Sequence, residues 1–165
     1  MRWLSLVLLL PVLGACTTVS DDGRVTAPKG TVLFLCPYGG AKSVIAASYF
    51  NRLAEERALP YHAIAAAAEE PYAAVPPPVA GLLLREGFDV SQFKPRHVEQ
   101  GDANGAVKIV SIDCNVGALD AAIHAEAPSV EHWDDVPKVS EDLDGSAAAI
   151  RRHVETLVED LRGRH

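Results

Sequence analysis

Eight consecutive residues, Cys36-Pro37-Tyr38-Gly39-Gly40-Ala41-Lys42-Ser43, constrain this chain more than any other stretch. They join two segments of different periodicity. Before them, residues 31–36 (Thr-Val-Leu-Phe-Leu-Cys) form an unbroken apolar run with β-branched and aromatic members, the pattern of a strand buried on both faces. After them, Ile45, Tyr49, Leu53 and Leu59 recur at helical spacing from Ser43 to Leu59 among Asn51, Arg52, Glu55 and Glu56, and Pro60 closes the stretch. A buried strand that feeds a helix through a short glycine-containing loop opens a βαβ unit and commits the chain to a parallel sheet.

The rest of the sequence extends that pattern. Residues 61–68 read as a second strand, weakened by an alanine run, and Pro76-Pro77-Pro78 opens a helix that runs through Glu86 and is closed by Gly87. Val107–Ile112 is a third strand, Val116–Ala127 a short helix, Val130–Trp133 a fourth strand, and Asp142–Arg162 a long amphipathic helix. The expected architecture is one three-layer α/β/α domain over residues 30–165, built on a four-stranded parallel sheet.

Chemistry concentrates in the loop after the first strand. Such a loop lies at the carboxyl edge of a parallel sheet, where open α/β folds bind ligands. Unpaired amides and the positive end of the helix dipole favour an anion there, and the same field favours a thiolate at Cys36, which makes it a nucleophile candidate. Gly39 and Gly40 permit positive φ and close backbone approach to a tetrahedral oxyanion. Tyr38, Gly39, Gly40, Ala41, Lys42 and Ser43 therefore form a candidate phosphate cradle. Lys42 adds charge to it and Ser43 can bond to the sulfur. As alternatives, Lys42 reads as a solvated lysine at a helix start and Tyr38 as an exposed loop residue.

Net charge excludes one class of partner. With 15 Lys+Arg against 22 Asp+Glu, a formal charge of −7, the chain lacks the basic face that a nucleic-acid binder needs. The six histidines, at positions 62, 97, 124, 132, 153 and 165, show no metal-ligand spacing, so no metal is expected; His132, beside Trp133, is expected to pack near the site. Lys94 and Arg96 read either as recruiting an anion or as a solvated face. Neither oligomeric state nor any cofactor is implied.

The first 29 residues stand apart. Arg2 precedes an apolar run from Trp3 to Leu13, too short for a spanning helix of about 20 residues. Leu13-Gly14-Ala15-Cys16 resembles the bacterial lipobox, in which the cysteine is lipidated. Residues 1–15 are thus expected to be a lipoprotein signal peptide, Cys16 a membrane anchor, and residues 16–29 a polar tether. Thr17 after the cysteine points to an outer-membrane lipoprotein facing the periplasm.

The loop and its surroundings together resemble the low-molecular-weight protein tyrosine phosphatases and the related thioredoxin-coupled arsenate reductases. Members of that family carry C-x5-R-S directly after the first strand; here the motif is Cys36-x5-Lys42-Ser43. Residues 84–91 (Leu-Arg-Glu-Gly-Phe-Asp-Val-Ser) are similar to the family's leu-x-glu-gly-ile-asp-x-ser stretch. Asp113-Cys114 after the third strand, the segment from Glu131 to Asp134 and the last helix stand in the family's order, so the resemblance covers residues 31–162. It implies the phosphotyrosine phosphatase I-like fold and a thiolate attack by Cys36 on phosphorus that forms a phosphocysteine. Lys42 would stand where an arginine clamps the phosphate oxygens.

Several positions depart from the family. Lysine is a point charge without arginine's planar two-pronged donation. Pro37 has no N–H, Gly39 replaces a bracing asparagine, and residues 65–68 replace a Ser-Ala-Gly turn. In the run Trp133-Asp134-Asp135-Val136-Pro137-Lys138, the position of the family's acid holds Lys138. Asp134 and Asp135 read equally as general-acid candidates and as a solvated loop pair, with Glu141 and Asp142 as substitutes. Loss of a general acid costs about 10²–10⁴-fold in rate, and loss of a clamp on developing charge about 10²–10³-fold. Cys114 reads as a possible redox partner of Cys36 or as a small buried residue, and the third cysteine of the arsenate reductase relay is Ala121 here. Two functions follow as expectations. One is a thiol-based phosphatase for phosphomonoesters, phosphotyrosine among them. The other is an impaired relative that binds oxyanions or senses redox state in the envelope, with arsenate reduction less favoured.

Overall fold

The computed structural model describes residues 30–117 and 130–163. The expected signal segment, Cys16 and the tether lie outside the described residues, as do Ala121, His124, His165 and nearly all of the expected helix 116–127.

Four parallel strands form the centre: β1 (Gly30–Cys36), β2 (Tyr61–Ala67), β3 (Ala106–Ile112) and β4 (Val130–Trp133), in the order β2-β1-β3-β4. Helix α1 (Lys42–Glu56) joins β1 to β2, while α2 (Pro77–Arg85) and α3 (Gln100–Asn104) lie between β2 and β3. Helix α4 (Leu143–Arg162) ends the described chain. The strand order follows from β1 being apolar on both faces, since only a central strand has neighbours on each side and helices above and below.

The period-2 alternation of β1 divides the core in two. Val32, Phe34 and Cys36 face a large cluster with Ile45, Phe50, Val110, Trp133, Ile150 and Leu157, which seats α1 and α4. Leu33 and Leu35 face a smaller cluster with Ala66, Ala103, Ile109 and Val116. Phe34 anchors the larger one, with ring centroids 6.0 Å from Phe50 and 5.5 Å from Trp133. A fully buried aromatic of this kind stabilises by about 2–3 kcal/mol.

The helices differ from the sequence expectation by more than one residue at the end of α1 and by the presence of α3. Helix α1 stops at Glu56, short of Leu59, because Ala58 turns into the left-handed region (φ 50°) and the Leu59 N–H bonds the Ala54 carbonyl at 2.8 Å. Pro60 holds the preceding residue out of helical geometry, so the helix must close before it. The short α3 is an additional element. Its signal is the reciprocal cap formed by Glu99 and Asp102, too local for a periodicity argument to register. Helix α4 opens where expected, with the Asp142 carboxylate accepting the Gly145 N–H at 2.8 Å.

Candidate active site

At the carboxyl edge of the sheet the chain leaves β1 at Cys36 and re-enters helical geometry at Lys42. The loop between them is held by its own carbonyls. Cys36, Pro37 and Tyr38 accept N–H bonds from Ala68, Glu69 and Tyr72 at 2.8–3.0 Å. The segment after β2 thus braces the loop through backbone alone, where the family's pattern would use an asparagine side chain. Gly39 sits at φ +66° against the end of β2, and a Cβ placed there would lie 2.8 Å from the Ala67 nitrogen. Glycine is required at this position by both conformation and space. The α1 N-terminus carries no side-chain cap, so its first-turn amides face the loop without an intrahelical partner.

Cys36 is buried and its Sγ lies 3.2 Å from Ser43 Oγ, itself fully buried. Cys36 lines a cavity of about 370 Å³, with the buried Cys36 and Lys42 at its floor and Asp113 on its wall. Its walls are apolar, formed by Pro37, Tyr38, Pro76, Pro78, Val79 and Val139 among others, and Lys138 and Ser140 stand at the rim. Tyr38 is exposed and stacks on Tyr72 with ring centroids 4.7 Å apart, which makes an aromatic lip.

Lys42 is the unexpected element. Its side chain is only 7% exposed, and Nζ donates to Asp113 Oδ2 and to the Val136 carbonyl, both at 3.0 Å. A lysine buried this deeply needs such partners, because an unpaired ammonium out of water costs several kcal/mol. The lysine thus ties α1 to the end of β3 and to the loop after β4. Asp113, a residue to which the sequence reading gave no role, is the one carboxylate lining the pocket among the described residues. The signal that could have pointed to it is its place immediately after β3, on the same sheet edge as Cys36.

The structure places the acid candidates elsewhere. Asp135 Oδ1 lies 2.7 Å from His153 Nε2 on α4, and that hydrogen bond holds its carboxyl below the usual aspartate range. Asp134 is exposed, and neither it nor Asp135 lines the cavity. Glu141 pairs with Lys138 and Asp142 caps α4. The loop turns this way because Trp133 is buried, with its Nε1 donating to Glu131 and His153 stacked on its ring at 4.7 Å. The histidine beside the tryptophan is therefore His153; His132 is exposed. Arg96 forms a two-pronged pair with Asp102, and Lys94 is exposed; neither lines the site.

Cys114 is half-buried, a free thiol with Sγ 3.3 Å from Ser111 Oγ. Burial pushes its thiol up, Ser111 offsets part of this, and charge at Cys36 pushes it further. Among the described residues no cluster of His, Cys, Asp and Glu could hold a metal ion, and no helix is long and apolar enough to cross a membrane.

No family model matches the sequence, and no curated protein matches it. Solved structures do. YfkJ from Bacillus subtilis is 21% identical with a TM-score of 0.70, covering 86% of this chain and 99% of its own. The low molecular weight phosphotyrosine phosphatase VcLMWPTP-2 from Vibrio cholerae O395 is 17% identical with a TM-score of 0.72, covering 81% and 97%. An arsenate reductase in the phosphate binding state is 18% identical with a TM-score of 0.65, covering 80% and 98%. The chain has the α/β fold that these phosphatases and arsenate reductases share.

Proposed function

We propose that this protein binds phosphate esters through the 36–43 loop and cleaves them slowly, with Cys36 as the nucleophile. One observation carries the reading: the Cys36 sulfur lies at a cavity floor, 3.2 Å from Ser43 Oγ, against a glycine loop and an uncapped helix N-terminus. The likeness to a phosphotyrosine phosphatase and to a phosphate-binding arsenate reductase supports the same ligand class.

The thiolate sulfur would attack phosphorus while the P–O bond to the leaving group breaks and the departing oxygen keeps the electron pair. Ser43 would donate a hydrogen bond to the sulfur, and the loop amides would hold the equatorial oxygens. Water then attacks the S–P bond, releasing inorganic phosphate and the thiolate. Asp113 is committed to Lys42, so the leaving oxygen would take its proton from water. This favours aryl esters, whose phenol ionises near pH 10, over alkyl esters. The apolar walls and the Tyr38–Tyr72 lip suit an aryl group. The lipobox-like run from Leu13 to Cys16 supports a tether through Cys16 at the envelope, with the domain facing the periplasm.

A second reading, oxyanion binding with little turnover, is favoured by the Lys42–Asp113 pair and by Lys138 at the acid's position. Hydrolysis of an aryl phosphate by residues 30–165 separates the two. Turnover that is lost in Cys36→Ser and accompanied by a phosphocysteine trapped at low pH supports the enzyme. Phosphate binding without turnover, unchanged by Lys42→Arg, establishes the second reading.

A further inference from the structure

The Lys42 ammonium is the buried cation of the pocket, and two groups of the chain already occupy it. They differ in kind. The Val136 carbonyl belongs to a buried residue in a loop fixed by Trp133 and by the Asp135–His153 pair, so it is a strut. Asp113 instead stands on the pocket wall with its side chain 51% exposed and its backbone in the left-handed region at φ 51°. A non-glycine residue there signals a position imposed by its surroundings. Its carboxylate and an incoming oxyanion would approach the same ammonium from the same cavity.

We propose that Asp113 is an internal competitor for the oxyanion: its carboxylate occupies Lys42 and sets both the affinity of the site and its preference against dianions. The proposal rests on the reading of the 36–43 loop as an oxyanion site. The charge inventory is consistent with it. Facing Asp113 are Cys36 from the end of β1, Lys42 from α1 and Lys138 from the loop before α4, with Lys138 shared with Glu141 at 3.4 Å. The neighbouring Cys114 thiol is kept protonated by burial. A bound dianion would sit beside a fixed negative charge, and two like charges within a few ångströms of each other shift affinity by tenfold or more at the effective dielectric of a protein surface.

Sulfate titrated calorimetrically at constant ionic strength tests this in a Cys36→Ser background, where no turnover intervenes. Asp113→Asn keeps the shape, an oxygen for Lys42 and tolerance of positive φ, and it should tighten sulfate binding about tenfold or more. Should that variant fail to fold, Asp113→Gly, which suits φ 51°, provides the same comparison. The gain should vanish when Lys42→Gln is added, because the two residues act on one another. Unchanged or weaker binding in Asp113→Asn overturns the proposal. So does a gain of equal size in the Lys42→Gln background, which would assign the effect to net charge alone. Sulfate binding by none of the variants also overturns it, whereas aryl phosphate turnover by Cys36 is decided by its own assay.

Discussion

Replacing Gly39 by alanine tests the geometry of the cradle most directly. Two costs are readable from the structure. An L-residue held at φ +66° loses about 1–2 kcal/mol relative to its preferred regions. The added Cβ would also meet the Ala67 nitrogen at 2.8 Å and the Ala67 Cβ at 2.9 Å. Both belong to β2 rather than to a flexible side-chain end, so backbone must move, at a cost of about 1–3 kcal/mol. The sum is about 2–5 kcal/mol, or a fall in Tm of roughly 10 °C or more for a domain of this size. The displaced segment contains the N–H groups that brace Cys36 and Pro37, so sulfate binding should weaken in parallel. Thermal and urea unfolding of Gly39→Ala give the magnitude, and Gly101→Ala is the matched control. A Cβ on Gly101 meets nothing within 4 Å, so in α3 that change should be neutral or stabilise by up to about 1 kcal/mol. A Gly39→Ala loss below about 0.5 kcal/mol with sulfate binding intact would refute the argument that this glycine shapes the site.

Three further outcomes are expected. Asp142→Ala removes the α4 cap to Gly145 and should cost about 1 kcal/mol in urea unfolding, with serine restoring most of it. Asp135, held below its ordinary range by His153, binds protons less readily folded than unfolded. Its contribution is therefore present above the unfolded aspartate value and lost as pH falls through the lower folded value. Because Asp135 is exposed, Asp135→Asn should flatten acid-side stability by less than about 1 kcal/mol, read from unfolding midpoints between pH 2 and 6. Burial raises the Cys114 thiol, so its alkylation by iodoacetamide at pH 7 should be slower than that of a cysteine in a short peptide; equal rates would contradict the burial argument.

Sequence alone determined the α/β fold here, because β1 carries five apolar residues in a row, Val32 to Cys36, and the glycine loop after it leads straight into an amphipathic helix. Local periodicity is enough to place strands, helices and the loop at the sheet edge, and with them Cys36 beside Ser43. Only tertiary structure decided the electrostatics of that edge. Asp113 and Val136 stand 71 and 94 positions from Lys42, and no local pattern says that their oxygens converge on its ammonium. The same holds for Asp135, which lies two positions after the buried Trp133 yet is drawn out to His153 on α4. A cysteine loop is written in neighbouring residues and so can be read from them. Which charge is free in a pocket depends on desolvation and on partners brought together by the packed core, and that is settled only when the chain has folded.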